Sequence, residues 1–216
     1  LSLHDALPIF YPEFVKRFAE RANRLRVGDP QDPNTQVGAL ISPQHWEKVS
    51  GYIRLGVEEG ATLLAGGPDK PAGLSHGNFL RPTVLADVDN RMRVAQEEIF
   101  GPVLGIVRVP DYRTAIDTVN GHEFGNGSAI FTGSGHYARQ FVQEVQAGMV
   151  GVNVPVPVPM AFHSFGGWKR SVFGALNVHG TVGVRFYTRM KTATARWPAG
   201  QQTVSERSEE RRVGKE

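Results

Sequence analysis

Glu98 lies in the run Gln96-Glu97-Glu98-Ile99-Phe100-Gly101-Pro102-Val103, two residues ahead of an aromatic ring and three ahead of a Gly-Pro turn. A carboxylate placed there has two readings. It can cap the turn before the strand that Val103 opens, or it can accept hydrogen bonds from both hydroxyls of a ribose, as acids do at dinucleotide sites. In the second reading Phe100 supplies an apolar wall against the ribose and nicotinamide. The 216 residues contain no cysteine, so thiolate nucleophiles, disulfides and thiolate metal sites are excluded from the chain itself.

Other chemistry-bearing patterns are weaker. Gly133-Ser134-Gly135-His136-Tyr137-Ala138 stands between a strand and a helix, the right context for a dinucleotide fingerprint. About 20 residues on, where that fingerprint needs an acid, stand Asn153 and Val154, so a tight strand-to-helix turn is the expectation. His163 and His179 are too far apart to share a helical turn and no acids converge on them, so no metal site is expected. Ser164 lacks the glycine pattern of a nucleophile elbow. Lys16, Arg17, Arg21, Arg24 and Arg26 crowd one segment, which reads as a solvated helix face rather than a nucleic-acid surface.

The elements that must position Glu98 follow from periodicity. Phe14, Phe18, Ala22 and Leu25 recur at helical spacing from Pro12 to Arg26, and Gly28-Asp29-Pro30 ends that helix. Ser42-Pro43 reads as an N-cap with proline in the first turn, followed by a stripe of Trp46, Val49, Ile53 and Val57. Thr62 to Ala65 is a short strand; Phe79 to Leu85 is extended, with Pro82 marking an edge or interruption. Val103 to Val109 reads as a buried strand, Tyr112, Ile116 and Val119 as a helix stripe, and Ser128 to Thr132 as a strand. A helix carrying Tyr137, Phe141 and Val145 and a strand from Met149 to Val154 complete the alternation. The Pro155 to Pro159 run is an extended loop, Gly166-Gly167 a turn, and Lys191 to Trp197 a last strand. Alternation of this kind predicts an α/β fold with a mainly parallel sheet and flanking helices.

Hydrophobic content of 40%, charged content of 21% and a formal charge of +3 suit a soluble α/β protein. No apolar run approaches the roughly 20 residues of a membrane span, and no signal-peptide pattern opens the chain, so neither membrane nor nucleic acid is an expected partner. Residues 1–9 and Ser205 to Glu216 resemble translated sequencing adapter, and 1–9 and the polar, charge-mixed run at 199–216 are expected to be a non-native leader and a disordered tail.

From about Phe10 to Pro198 the chain resembles the aldehyde dehydrogenases, on the Glu98 motif, Lys48-Val49-Ser50-Gly51-Tyr52-Ile53, Ser164-Phe165-Gly166-Gly167 and Val150 to Pro159. The resemblance implies that Glu98 holds the nicotinamide ribose of NAD, that Phe100 packs beside it and that Lys48 lies near the cofactor. It places Phe165 on the aldehyde channel and Asn153 facing it. It also implies a catalytic-domain fragment at 10–187, without the N-terminal Rossmann-like domain, and an oligomerisation strand at 188–198 that extends a neighbouring subunit's sheet. The first half, to Val103, is closer to the carboxymethyl-hydroxymuconate-semialdehyde branch. The second, from Leu104, is closer to the methylmalonate-semialdehyde branch, which passes its acyl group to coenzyme A; a chimera joined at the Glu98 motif is the expectation. The implied parent is a cytoplasmic homo-oligomer that oxidises a small semialdehyde through a cysteine thioester. The chain alone is expected to be inactive, with a non-catalytic interaction module built on the last strand as the alternative.

Overall fold

The computed structural model describes residues 3–196; the expected tail at 199–216 lies outside them, as do Leu1 and Ser2 of the expected leader. The first helix, α1 (Leu3–Asn23), begins well before Pro12. Pro8 and Pro12 are four residues apart, so the two amide donors they lack fall on one side of the helix and the other rungs of the ladder persist. Phe10, Phe14 and Phe18 form a ladder of rings with centroids 5.6 and 5.7 Å apart. Phe18, Ala19 and Ala22 pack on Ala65 and Val84, while Phe10 and Phe14 remain exposed.

Helix α2 (Pro43–Glu58) starts where Ser42 and Pro43 place it: the Ser42 hydroxyl accepts from the His45 amide at 3.1 Å, and proline occupies the first turn. Val49 and Ile53 are fully buried and Trp46 is half-buried, with its indole donating to the Phe79 carbonyl at 2.9 Å. Val57 ends the stripe exposed.

A three-stranded sheet follows, built from β1 (Thr62–Ala65), β2 (Thr83–Ala86) and β3 (Val103–Gly105) in the order β1-β2-β3. Strand β2 is central and buried along its length, antiparallel to β1 and parallel to β3. The edge expected from Pro82 does not materialise, because the proline stands one residue ahead of the ladder and Thr83 supplies the first donor, to the Pro102 carbonyl at 2.8 Å. Strand β3 stops at Gly105, well short of the buried strand expected to Val109, and Leu104 is exposed. Only one neighbour, β2, pairs with it, and burial of a parallel strand requires cover on both sides. The short α3 (Arg93–Gln96), unanticipated from periodicity, leads into the Glu98 motif.

A further core of Ile116, Phe141, Val145 and Ala147, with Tyr112, Ile130 and Val150 packed against it, joins two helices and a pair of strands. Helix α4 (Tyr112–Gly121) is capped by Asp111 and α5 (Gly135–Glu144) by Ser134; the Gly133–Gly135 segment is thus the expected strand-to-helix turn. Ile116 points inward and Val119 is exposed. Strand β4 (Phe124–Gly125) pairs antiparallel with β7 (Trp168–Lys169), and β5 (Gly127–Ile130) pairs in parallel with β6 (Met149–Val152). The fold is α/β, and its sheets are mixed, with parallel and antiparallel pairs. Helix α6 (Thr181–Tyr187) follows β7 and went unforeseen, as did β7. Residues 188–196 are exposed and form no strand within the chain, and Trp197 lies outside the described residues. Over its described part, 191–196, the expected last strand does not form, since a strand requires a partner ladder and none of the described residues pairs with it. Among the described residues no helix is long and apolar enough to cross a membrane, and no group of three metal-ligating side chains forms.

Candidate functional site

One face of α2 clamps the Glu98 motif. His45, Lys48 and Tyr52 follow one another at helical spacings of three and four, Val49 lies beside Lys48, and each grips a different residue of the segment. The His45 ring Nε2 lies 2.7 Å from the Phe100 carbonyl and donates to it in the Nε2–H tautomer. Lys48 Nζ donates to the Glu98 carbonyl at 3.0 Å, so its ammonium holds the backbone of the segment. Val49 lies directly beneath Gly101, where an added Cβ would come within 2.7 Å of its methyl group. Tyr52 Oη donates to Glu97, which also takes a bidentate grip from Arg93.

These bonds hold Phe100 in an uncommon state. Its φ is +58°, in the left-handed region that a bulky residue occupies only under constraint, and its ring is 76% exposed. An exposed apolar ring on strained backbone is a poor choice for stability alone. The Glu98 side chain is exposed too, and within the described residues only its backbone carbonyl is engaged in hydrogen bonding. A free carboxylate with two acceptor oxygens beside an open aromatic ring fits a ribose diol and a flat heterocycle.

Glu97 behaves differently from Glu98. The Arg93 guanidinium first, and the Tyr52 hydroxyl second, hold its carboxyl down at about 2. The hydrogen bond to Glu97 raises the Tyr52 phenol above its ordinary 10. Because the folded carboxyl titrates below the ordinary 4.5, its contribution is complete above that value and disappears as pH falls through about 2. Carboxyl-carbon NMR should therefore show Glu97 titrating near pH 2; a midpoint at the ordinary 4.5 would refute the clamp.

Glu98 lines a cleft of about 490 Å³ together with Ala95, His122, Phe124, Asn126 and Ser171. Phe165 lines a second cleft, of about 480 Å³, with Met149, Val158, Phe173 and His179. Asn126 and Ser171 belong to the walls of both. The two clefts therefore abut, and the residue expected at a cofactor and the residue expected at a substrate channel face spaces with a common partition. Sequence reasoning missed that partition, because Asn126 and Ser171 meet only through the β4–β7 pairing and carry no local motif.

Two further contacts build the partition. The Ser171 hydroxyl accepts from the Gly125 amide at 3.1 Å, and Lys169 Nζ donates to the Asn120 and His122 carbonyls at 2.7 and 3.0 Å. Lys169 also has left-handed backbone, with φ +52°. Gly148, between α5 and β6, presses its backbone against Gly166 and Gly167 so closely that an added Cβ would collide with the Gly166 carbonyl oxygen. Asn153 stands elsewhere. At φ +57° its amide accepts from Thr132 N at 2.9 Å and donates to Thr132 O at 3.1 Å, tying the ends of β5 and β6 together; it is not among the residues lining the Phe165 cleft.

Known proteins place this geometry. The model of the aldehyde dehydrogenase family matches residues 9–193. The chain is 64% identical over 163 residues to 5-carboxymethyl-2-hydroxymuconate semialdehyde dehydrogenase of Escherichia coli, which covers 74% of this chain and 34% of that protein. That stretch is longer than residues 10–103, so likeness to this branch is not confined to the first half. The crystal structure of methylmalonate-semialdehyde dehydrogenase from Oceanimonas doudoroffii superposes with a TM-score of 0.81 at 45% identity, over 88% of this chain and 39% of that one. An aldehyde dehydrogenase of Mycobacterium tuberculosis complexed with NAD+ matches with a TM-score of 0.76 at 39% identity, over 83% and 36%. The chain thus spans little more than a third of the length of the relatives it matches. A family match over this much of the chain, with fold and sequence in agreement, makes it a member of the aldehyde dehydrogenase family.

Proposed function

We propose that this chain forms the cofactor-ribose wall and the substrate-channel wall of an NAD-dependent aldehyde dehydrogenase that oxidises a small semialdehyde. The observation that carries this reading is the common partition of Asn126 and Ser171 between the Glu98 cleft and the Phe165 cleft. Oxidation of an aldehyde needs a hydride acceptor and the aldehyde carbon side by side, and two abutting clefts supply that adjacency. Bound NAD would take up the hydride. Glu98 holds the ribose by its two hydroxyls, Phe100 covers the ring face, and Lys48 and His45 keep both residues in place through their carbonyls. Phe165 orients the aldehyde from the opposite side. The thiolate that attacks the carbonyl comes from outside this chain, which has no cysteine. The resulting thioester is resolved by water or, in a coenzyme A-acylating parent, by coenzyme A.

The chain alone is therefore inactive, and a cytoplasmic location and a homo-oligomeric parent go with this reading. Grafting residues 10–196 into the E. coli relative in place of its matching segment is the test. A folded graft should form NADH from that relative's aldehyde, while the purified 216-residue chain forms none with any aldehyde. A folded graft that makes no NADH would overturn the reading.

A second reading rests on the exposed run Tyr187 to Met190, where Tyr187 is 75% and Met190 97% accessible. A segment of this kind, without a ladder of its own, can pair with another copy as an interaction module. Sedimentation of the purified chain decides it: a defined oligomer supports the module and a monomer removes it.

A further inference from the structure

We propose that His179 is a specificity-determining residue, its imidazole receiving the carboxylate at the far end of a semialdehyde whose reacting end faces the Asn126–Ser171 partition. The proposal deepens the reading above and rests on the Phe165 cleft being the aldehyde channel. Sequence reasoning assigned His179 no role.

The cleft is the size of a small-ligand site and mostly apolar, with Met149, Val158, Phe173 and Phe186 among its lining. His179 is the one titratable side chain in that lining. Its ring stacks on Phe165 with centroids 4.4 Å apart and planes within 4° of parallel. Face-to-face stacking occupies the ring surface and leaves both ring nitrogens at the edge, where no hydrogen bond within the described residues uses them. The stack is held from both sides. Gly180, next in sequence, donates its amide to the Ala161 carbonyl at 3.2 Å, and the Asn177 amide donates to the Ser164 hydroxyl at 3.4 Å.

The edge of an imidazole presents a ring N–H that can donate to a carboxylate oxygen. His179 is exposed, so that edge is open to an entering anion, and the apolar side chains around it offer the anion no donor of their own. The relatives named for 5-carboxymethyl-2-hydroxymuconate semialdehyde and methylmalonate semialdehyde act on compounds with an aldehyde at one end and a carboxylate elsewhere. The cleft offers one wall for each end.

The test uses the 216-residue chain with carbon-13-labelled histidine and malonate as an unreactive three-carbon anion, with propionamide as the neutral control. The His179 Cε1–Hε1 signal, identified by its disappearance in His179→Phe, should move saturably with malonate, at least about fivefold further than that of any other of the seven histidines. Equal movement of all histidines, or an equal response to propionamide, would overturn the proposal. In the graft, His179→Phe should lower the ratio of kcat/KM for the semialdehyde to that for propanal about tenfold; an unchanged ratio would also overturn it. The titration needs no turnover. Malonate binding in a graft that makes no NADH would sink the dehydrogenase reading and keep the anion site, and the reverse pattern would do the opposite.

Discussion

Gly148→Ala is expected to lower the stability of the chain by about 3 kcal/mol, a fall in Tm on the order of 9 °C. The Cβ it adds would meet the Gly166 carbonyl and the Gly167 backbone, none of which is the yielding end of a side chain. Relief requires the Gly166-Gly167 turn to move, and that turn lies between Phe165 and β7. The substitution should therefore also shift the Phe165 and Trp168 ring signals, while Trp46, in the other core, stays in place. Thermal circular dichroism and aromatic NMR of the two proteins measure both effects. A Tm within 2 °C of the parent chain's would mean that the turn yields freely, and the partition would lose its claim to rigidity.

Glu98→Ala should produce the other large effect, on function rather than stability. In the graft, kcat/KM for NAD should fall about 100-fold, equivalent to about 2.7 kcal/mol, as expected when two hydroxyls lose a charged acceptor. The Tm should barely change, because among the described residues the Glu98 side chain has no hydrogen-bond partner and only its carbonyl is bonded. Steady-state kinetics with NAD varied at saturating aldehyde provides the measurement. Activity held within threefold would remove Glu98 from the ribose site. A large loss of Tm would instead return it to the turn-capping role that its place before Gly101-Pro102 also allows.

The elements that show a repeating apolar pattern were legible before the structure. Ser42-Pro43 marked the start of α2, Val49 and Ile53 its buried face, and β1, β5 and β6 lie where their apolar runs placed them. The second face of α2 was not legible. His45 and Tyr52 carried no expectation and Lys48 only that of a place near the cofactor; the return of the chain 45 or more residues later gives them backbone carbonyls and a carboxylate to bind. Strand β7 and helix α6 escaped for another reason: a two-residue ladder and a seven-residue helix interrupted by Gly183 carry too few positions for a period to show. The error at Val103 to Val109 has a third source. An apolar run, here broken only by Arg108, suggests burial on both faces, and among the described residues β3 is paired on one side only.

The identities of the candidate residues were legible, and their assembly was not. Glu98 and Phe165 stand on either side of a wall whose residues, Asn126 and Ser171, are polar, short and without sequence context. Asn153 shows the converse. The resemblance implies a residue facing the channel, and the contacts with Thr132 at both ends of its amide, which tie β5 to β6, carry no signal in the sequence.

The partition of Asn126 and Ser171 also constrains how such an enzyme can diversify. On the proposed function, a change at a residue that borders both spaces alters the walls of the aldehyde space and the cofactor space together. Val158, Phe173 and His179 touch the second cleft alone and carry no such double duty. A change of aldehyde is therefore cheapest at that outer rim.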